Sequence, residues 1–150
     1  MLEIIAHTDG SCLGNPGVGG YCAKIEAKGK SKFCEGYEIN DTTNNRMEMM
    51  AVISVMKWCN RIQKESCKVT FFTDSQVIVD CFTKHDFSDL TSKSRANHDL
   101  WFELITETLK GHHEIQFKKV KGHNGNERNE EVDKRAKAQA LKARHERYGY

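Results

Sequence analysis

Long hydrophobic runs are missing from this chain of 150 residues. No window approaches the roughly 18 consecutive apolar residues that a membrane-spanning helix needs, so a membrane partner is not expected. The N-terminal stretch MLEIIAHTDG contains an acid and lacks the basic segment of a secretory signal, which predicts a cytoplasmic protein. We expect one domain over residues 1–150, with its core over residues 2–143 and a C-terminal tail that frays.

Closely paired cysteines are also missing. No two cysteines form the C-x-x-C spacing of a zinc site, and a cytoplasmic chain does not maintain a disulfide framework. We therefore expect the six cysteines to be reduced and mostly to act as small core residues. They are Cys12, Cys22, Cys34, Cys59, Cys67 and Cys81.

The chain has little net charge, with a formal value of +2 at pH 7. This is less than a dedicated nucleic-acid binder usually carries. Basic residues nevertheless crowd its last third, which predicts either a solvated helix face or a surface that contacts phosphates. They are Lys118, Lys119, Lys121, Arg128, Lys134, Arg135, Lys137, Lys142, Arg144 and Arg147.

Phosphate-binding loops and a Ser-His-Asp arrangement are absent as well. The segment GNPGVGG has neither the lysine of a Walker A motif nor the spacing of a dinucleotide-binding loop. Its glycines are suited to a tight turn that leads into a second strand.

The hydrophobic pattern predicts an α/β protein with the element order β-β-β-α-β-α-α-β-α. An apolar strand, a long helix and a second apolar strand favour parallel pairing of the first and fourth strands. We expect strands over 2–8, 20–27, 32–39, 68–74 and 114–120, and helices over 41–62, 75–82, 96–109 and 130–144, with a polar connection over 84–95.

Two acids occupy matching positions in this pattern. Asp9 in HTDGS and Asp74 in FFTDS each close an apolar strand. If the strands are parallel neighbours, both carboxylates lie at the edge where open α/β sheets bind ligands. The alternative for each acid alone is a turn or a helix N-cap.

Two further acids lie on helices. Glu48 falls on a mostly apolar stripe, where burial is costly without a cation or hydrogen bonds; an exposed acid in the first turn is the alternative. Asp133 shares a helix face with Ala136 and Ala140, whose small side chains allow a close approach to the sheet. On its own, Asp133 could equally be a solvated acid.

Four carboxylates from four elements suit hard divalent cations. Two such ions roughly 4 Å apart would activate a water molecule and stabilise the leaving oxygen of a phosphodiester. The residues alone therefore predict metal-dependent hydrolysis of a phosphodiester.

At this point the chain resembles type 1 ribonuclease H. The resemblance is carried by five motifs in the order of that family, over residues 4 to 140. It implies a ribonuclease H-like fold with a five-stranded mixed sheet flanked by helices. The motifs are TDGSCLGNPGVGGY, TTNNRMEMMA, TDSQ, NHDLW and KGHNGNERNEEVDKRA.

The resemblance implies that Asp9, Glu48, Asp74 and Asp133 are metal-binding catalytic acids. We prefer Asp133 to the nearby Glu130 for the fourth position, because it lies ten residues after His123 as expected for the family. His123 matches the family's mobile histidine, which is thought to aid proton transfer or product release.

The resemblance also implies two sets of substrate contacts. One set would bind the RNA strand through its 2′-hydroxyls: Gly10, Cys12, Asn15, Asn44, Asn45 and Gln76. The other set would bind a phosphate of the DNA strand: Thr43, Arg46 and Asn97. For Asn44 and Asn45, helix capping is the alternative.

The predicted function is an endonuclease that cleaves the RNA strand of RNA–DNA hybrids with two Mg²⁺ ions, or Mn²⁺ in their place, leaving 5′-phosphate and 3′-hydroxyl ends. We expect a monomer that needs no protein partner. One rival is a non-catalytic module that only binds hybrids, and a second is the ribonuclease H portion of a reverse transcriptase, although Met1 just before the first strand favours a stand-alone enzyme.

One segment departs from the family pattern. The interval VIVDCFTKHDFSDLTSKSRANH is short where some relatives carry a basic protrusion, and it contains only Lys84, Lys93 and Arg95 as basic residues besides its histidines. Hybrid binding would then depend on the C-terminal basic residues or be weaker.

Overall fold

A computed structural model describes residues 1–121 and 127–150, with only the backbone considered for Glu127 and Arg128. The strands are β1 (Leu2–Cys12), β2 (Gly17–Ala27), β3 (Lys30–Thr42), β4 (Cys67–Thr73) and β5 (Glu114–Lys119). The helices are α1 (Asn44–Ile62), α2 (Gln76–Lys84), α3 (Phe87–Leu90), α4 (His98–Lys110) and α5 (Glu127–Tyr148).

The five strands form one mixed sheet in the order β3-β2-β1-β4-β5. β1, β2 and β3 are antiparallel, whereas β4 and β5 run parallel to β1. The predicted α/β fold and the parallel pairing of the first and fourth strands are therefore confirmed. The long crossover helix α1 makes this pairing possible, since parallel neighbours cannot be joined by a tight turn.

The β2–β3 hairpin shows why the first half of the sheet is antiparallel. Its turn contains Lys28 and Gly29, both with positive φ (52° and 74°). Two consecutive residues of this kind give the turn the twist that matches a hairpin. The predicted turn near Lys28–Lys30 is confirmed.

Helices cover the two faces of the sheet unequally. On β2, the buried Ala23 and Ile25 join the main core with α1, whereas Cys22 packs with Val132 and Ala136 of α5. Because alternate residues of a strand point to opposite faces, α1 and α5 lie on opposite sides of the sheet. α4 packs against α1 on the main-core side.

Several predicted ends are shifted, and β1 continues past Asp9, which was expected to close it, to Cys12. Two further differences concern whole segments. The connection over 84–95 contains α3, which Asp86 caps by accepting a hydrogen bond from the Asp89 N–H at 2.8 Å. Leu90 is fully buried there, so tertiary burial folds a segment whose composition is polar.

The second difference is the C-terminal tail, which was expected to fray but continues α5 to Tyr148. Arg147 of this last turn pairs with Asp41 at 2.5 Å, and the ring of Tyr148 stacks on that of Tyr150. These contacts with β3 and within the tail hold the last turn in place. Within the described residues, no helix is both long and apolar enough to cross a membrane.

Candidate active site

Asp9 and Asp74 lie side by side at the carboxyl edge of two parallel strands. The β1–β4 register pairs His7 with Phe72, and two residues further along each strand lead to these acids. Asp9 is only 7% exposed, and its Oδ1 accepts a hydrogen bond from the Gly10 N–H at 2.9 Å. The predicted convergence of the two strand-end acids therefore holds.

Asp74 is not the N-cap of the helix that follows it. Ser75 fills that position, and its side chain accepts a hydrogen bond from the Ile78 N–H at 3.3 Å. The Asp74 carboxylate is therefore available to the site, and the capping alternative is wrong for this residue.

Glu48 reaches the same place from the second turn of α1. It is 8% exposed, so the alternative of a solvated first-turn acid is wrong. A Cβ on Gly10 would lie 2.4 Å from the backbone nitrogen of Glu48. Glycine at position 10 thus allows α1 to lie directly against β1.

The three carboxylates form a cluster. One oxygen from each of Asp9, Glu48 and Asp74 lies within 4.8 Å of the others. A group of oxygen ligands at this separation can share one hard divalent cation.

Asp133 approaches this cluster from α5 but lies outside the group of three. Its Oδ2 is 3.1 Å from Lys137 Nζ, and its side chain is 19% exposed. Ala136 and Ala140 are fully buried, and a Cβ on Gly20 would lie 2.4 Å from the backbone nitrogen of Ala140. Small residues on both sides therefore bring α5 close to the sheet, as predicted.

Burial and mutual repulsion perturb the protonation of the cluster. Burial raises the pKa of Asp9 to about 7, with repulsion from Asp74 and Asp133 adding to the effect; hydrogen bonds with Glu48 and from Gly10 oppose it. Burial, followed by the charge of Asp9, raises the pKa of Glu48 well above its usual range. The charged forms of both acids are therefore disfavoured while no cation is bound.

One buried oxygen of the cluster also lacks a hydrogen bond among the described residues. Glu48 Oε2 is buried and has no hydrogen-bond partner among the residues that the structure describes. A buried oxygen without a partner is costly, and a divalent cation would supply the missing interaction. The donor set and this orphaned atom therefore fit a hard metal ion.

Several residues predicted to bind an RNA strand contact the end of β3 or the start of α1. Asn15 Oδ1 accepts a hydrogen bond from the Asn44 N–H at 2.9 Å, and Cys12 Sγ lies 3.3 Å from the Thr42 carbonyl oxygen. The side chains of Asn44 and Asn45 are exposed. Thr43 supplies the N-cap of α1, so both asparagines are the first residues inside the helix rather than its cap.

The three residues predicted to bind a DNA phosphate also come together. Thr43 Oγ1 accepts a hydrogen bond from the Arg46 N–H at 3.2 Å, and the Arg46 guanidinium donates to Asn97 Oδ1 at 3.2 Å. Asn97 has a left-handed backbone (φ 60°) and does not use its side chain to cap α4. Its amide therefore remains directed at Arg46.

Two acids near these groups were not identified from the sequence. Asp99 binds Arg46 through two hydrogen bonds of 3.0 and 2.7 Å, which lowers the pKa of Asp99 to about 2. Asp80 accepts a hydrogen bond from Gln76 Nε2 at 2.8 Å. The four-residue spacing on α2 could have revealed Asp80, but no local signal links Asp99 to Arg46.

His123 lies outside the described residues, so its predicted role is not addressed by the geometry. Glu130, the alternative to Asp133, is exposed.

Comparison with known proteins identifies the family. The family model described as RNase H matches residues 2–141. A protein named ribonuclease H from Citrobacter koseri is 42% identical over 158 aligned positions, which cover 100% of this chain and 97% of the relative. Another of that name, from Caldicellulosiruptor saccharolyticus, is 41% identical over 92% of this chain and 96% of its own length.

Solved structures show the same architecture. LC9-RNase H1, described as a type 1 RNase H with the type 2 active-site motif, superposes with a TM-score of 0.79 at 30% identity, covering 95% of this chain and 74% of that one. LC11-RNase H1, solved in complex with an RNA/DNA hybrid, has a TM-score of 0.74 at 21% identity over 93% of this chain and 98% of its own, a likeness of fold alone. The carboxylate cluster thus lies in a ribonuclease fold, and the chain belongs to the ribonuclease H family.

Proposed function

We propose that this enzyme hydrolyses the RNA strand of RNA–DNA hybrids with divalent cations held by Asp9, Glu48, Asp74 and Asp133. The observation that carries the proposal is the cluster of three carboxylates within 4.8 Å, with Asp133 approaching from α5. Burial makes this arrangement costly unless a cation compensates it. An uncompensated cluster would have little use in a protein that only binds hybrids.

The residues of the site have distinct tasks in this proposal. Two Mg²⁺ ions, or Mn²⁺ in their place, would activate the attacking water and neutralise charge at the scissile phosphate, leaving 5′-phosphate and 3′-hydroxyl ends. Asp9 would contact both ions, Glu48 and Asp74 would complete the set, and Asp133 would hold the second ion. Because burial disfavours the charged form of Glu48 in the cation-free protein, cation binding would strengthen as pH rises.

Substrate recognition would use the polar groups around the cluster. Amides of Asn15, Asn44, Asn45 and Gln76, with Gly10 and Cys12, are suited to a 2′-hydroxyl because it both donates and accepts hydrogen bonds. The group of Thr43, Arg46 and Asn97 would hold a DNA phosphate and set the position of the duplex. The hybrid bound by the structural neighbour LC11-RNase H1 supports this substrate class.

A cleavage assay tests the proposal. Labelled RNA–DNA hybrid, RNA duplex and DNA duplex are each incubated with the protein and Mg²⁺, and only the hybrid should be cut, on its RNA strand. Asp9→Asn should abolish cleavage without unfolding the protein, whereas Asp89→Asn, at an exposed residue of α3, should not. A hybrid that is bound but left uncut by the wild type would instead establish a binding module.

The identity of the fourth acid needs its own pair of variants. Asp133→Asn should slow cleavage by roughly tenfold or more, since it removes a ligand charge near the cluster. Glu130→Gln, an exposed neutralisation on the same helix, should leave the rate unchanged. The reverse result would assign the site to Glu130.

We also propose that residues 1–150 act as one catalytic domain, as the continuous sheet and the family match over 2–141 support. A monomer in the cytoplasm remains a prediction. Light scattering after size-exclusion chromatography would test the oligomeric state.

A further inference from the structure

The sheet face that carries α5 is only partly covered by that helix. Below α5, three rows of side chains cross the strands β2, β1, β4 and β5. The register defines these rows as Lys24–His7–Phe72–Lys118, then Glu26–Ile5–Thr70–Gln116, then Glu3–Lys68–Glu114, with Lys28 beyond them at the hairpin. All of these residues except His7 and Glu114 line an open depression of about 690 Å³, called here the lysine trough.

Lysines dominate the charge of this trough. Five lysines line it, compared with two glutamates, Glu3 and Glu26. Lys24 is neutralised by Glu131 at 2.8 Å, and Lys28 is 3.9 Å from Glu65 in a solvent-exposed pair, which is a weak interaction. The five are Lys24, Lys28, Lys30, Lys68 and Lys118.

The lysines are separated by a row in which only Glu26 is charged. In the middle row, Gln116 Nε2 donates to Thr70 Oγ1 at 2.8 Å, and Ile5 is 43% exposed. Above it, Lys118 Nζ lies 5.9 Å from the centre of the Phe72 ring. At about 3.3 Å per strand residue, the two basic rows lie roughly 13 Å apart.

We propose that the lysine trough is a second nucleic-acid site, and that it binds a single strand. Basic residues at both ends would contact phosphates, while the amide, hydroxyl and apolar groups between them would contact bases. Charge of this sign attracts a polyanion and releases its counterions. A separation of roughly 13 Å corresponds to about four nucleotides of a stacked strand, a plausible site size for such a surface.

The recessed shape favours a single strand over a duplex. A duplex keeps its bases inside and presents phosphates on a convex surface, so its bases could not reach Thr70 and Gln116. A single strand can direct its bases toward the floor while its backbone follows the lysines.

The far end of this site is separate from the one that cleaves hybrids. The row with Lys24 and Lys118 lies two residues from Asp9 and Asp74 along their strands, whereas the row of Glu3 and Lys68 lies six residues from these acids. Lys30 and Lys68 belong neither to the carboxylate cluster nor to the predicted substrate contacts, whereas Lys118 is one of the C-terminal basic residues on which hybrid binding could depend. The two proposals can therefore fail independently.

The test is binding of a fluorescein-labelled oligodeoxythymidylate of about 15 nucleotides to the full chain in EDTA, measured by anisotropy across a salt series. Lys30→Glu combined with Lys68→Glu, at two exposed lysines of the trough, should weaken binding roughly tenfold and reduce the slope of log K against log salt by about 1.4, which is 0.7 per lost contact. The matched control is Lys64→Glu combined with Lys110→Glu, the same charge change at exposed lysines outside the trough. It should bind as the wild type does.

Cleavage of a short blunt-ended hybrid by the trough variant should equal that of the wild type, which shows that the variant is folded. Three results would overturn the proposal. The first is an equal loss of binding in both double variants, or no loss in either. The second is tighter binding of duplex DNA that depends on the same two lysines. The third is displacement of the oligonucleotide by polyglutamate of matched charge as readily as by unlabelled strand.

Discussion

Asp9 lies at a point where burial and negative charge oppose each other. Its carboxyl is removed from water between β1 and α1 and lies next to Glu48 and Asp74. Burial disfavours the charged form of this carboxyl and raises its pKa to about 7. The residue proposed to contact both cations is therefore one that destabilises the cation-free fold.

Replacing this carboxyl should stabilise the protein. The folded pKa of Asp9 is above its ordinary value of 3.8, so its contribution to stability is present at low pH and is lost as pH rises from about 4 through 7. In EDTA at pH 8, the free energy of unfolding of Asp9→Asn, measured with urea, should exceed that of the wild type by on the order of 2 kcal/mol. At pH 4 the two proteins should be equally stable.

Asp89→Asn is the matched control for this measurement. The Arg95 guanidinium and the nearby His85 hold the pKa of Asp89 below its ordinary value, so its replacement should not stabilise the fold at pH 8. An equal gain for both variants, or a gain for Asp9→Asn that persists at pH 4, would contradict the explanation by burial and repulsion.

The position of α5 depends on the absence of a side chain on β2. A Cβ at Gly20 would lie 2.5 Å from the Ala136 carbonyl oxygen, as well as close to the Ala140 nitrogen. Both contacts are with helix backbone, which cannot move away as a flexible side chain could. The distance between α5 and the sheet, and so the position of Asp133, is therefore set by this glycine.

Gly20→Ala should displace α5. We expect a loss of about 1–3 kcal/mol in the free energy of unfolding from overpacking, together with slower hybrid cleavage because Asp133 moves from the cluster. Denaturant unfolding and the cleavage rate measure the two effects. Gly29→Asn is the control, because nothing lies within 4 Å of a Cβ there and asparagine tolerates its positive φ; a similar loss in both variants would exclude a specific role for α5.

Individual elements differ in how far local sequence predicts them. α1 was expected because capping residues precede a long apolar segment, and Thr43 does cap it. α3 was missed because its only fully buried side chain, Leu90, is stabilised by contacts with other elements. The end of α5 was missed for the same reason, since Arg147 finds its partner on β3.

For the molecule as a whole, cation binding and folding are linked. The cluster assembles from β1, α1 and β4, so its ligands are brought together only in the folded chain. A cation that binds the folded state alone stabilises it by about 1.4 kcal/mol when its concentration is ten times the dissociation constant. Millimolar Mg²⁺ should therefore raise the melting temperature of the wild type.

Glu48→Gln should reduce the rise in melting temperature that Mg²⁺ causes, because it removes one charge from the cluster. NaCl at the same ionic strength should not cause this rise, because monovalent ions screen the carboxylates without binding between them. A wild type that cleaves hybrids in Mg²⁺ yet melts at the same temperature at saturating concentrations would contradict the linkage.

The sequence by itself determined the α/β class, the parallel pairing of β1 with β4, and three of the acids that converge. Apolar periodicity and strand-end position are local properties, and the register of parallel strands follows from them. Thr43, Arg46 and Asn97 were predicted only from the family resemblance, because their proximity depends on contacts between distant elements.

Only the tertiary structure determined the pKa shifts of the clustered acids, the long-range ion pairs and the composition of the exposed sheet face. The protonation of Asp9 and Glu48 depends on how completely α1 excludes water, and the pairing of Arg46 with Asp99 joins residues 53 positions apart. The lysine trough likewise arises from the register of four strands and from the limited reach of α5. Burial and proximity between distant segments are properties of the packed chain, so no local pattern could specify them.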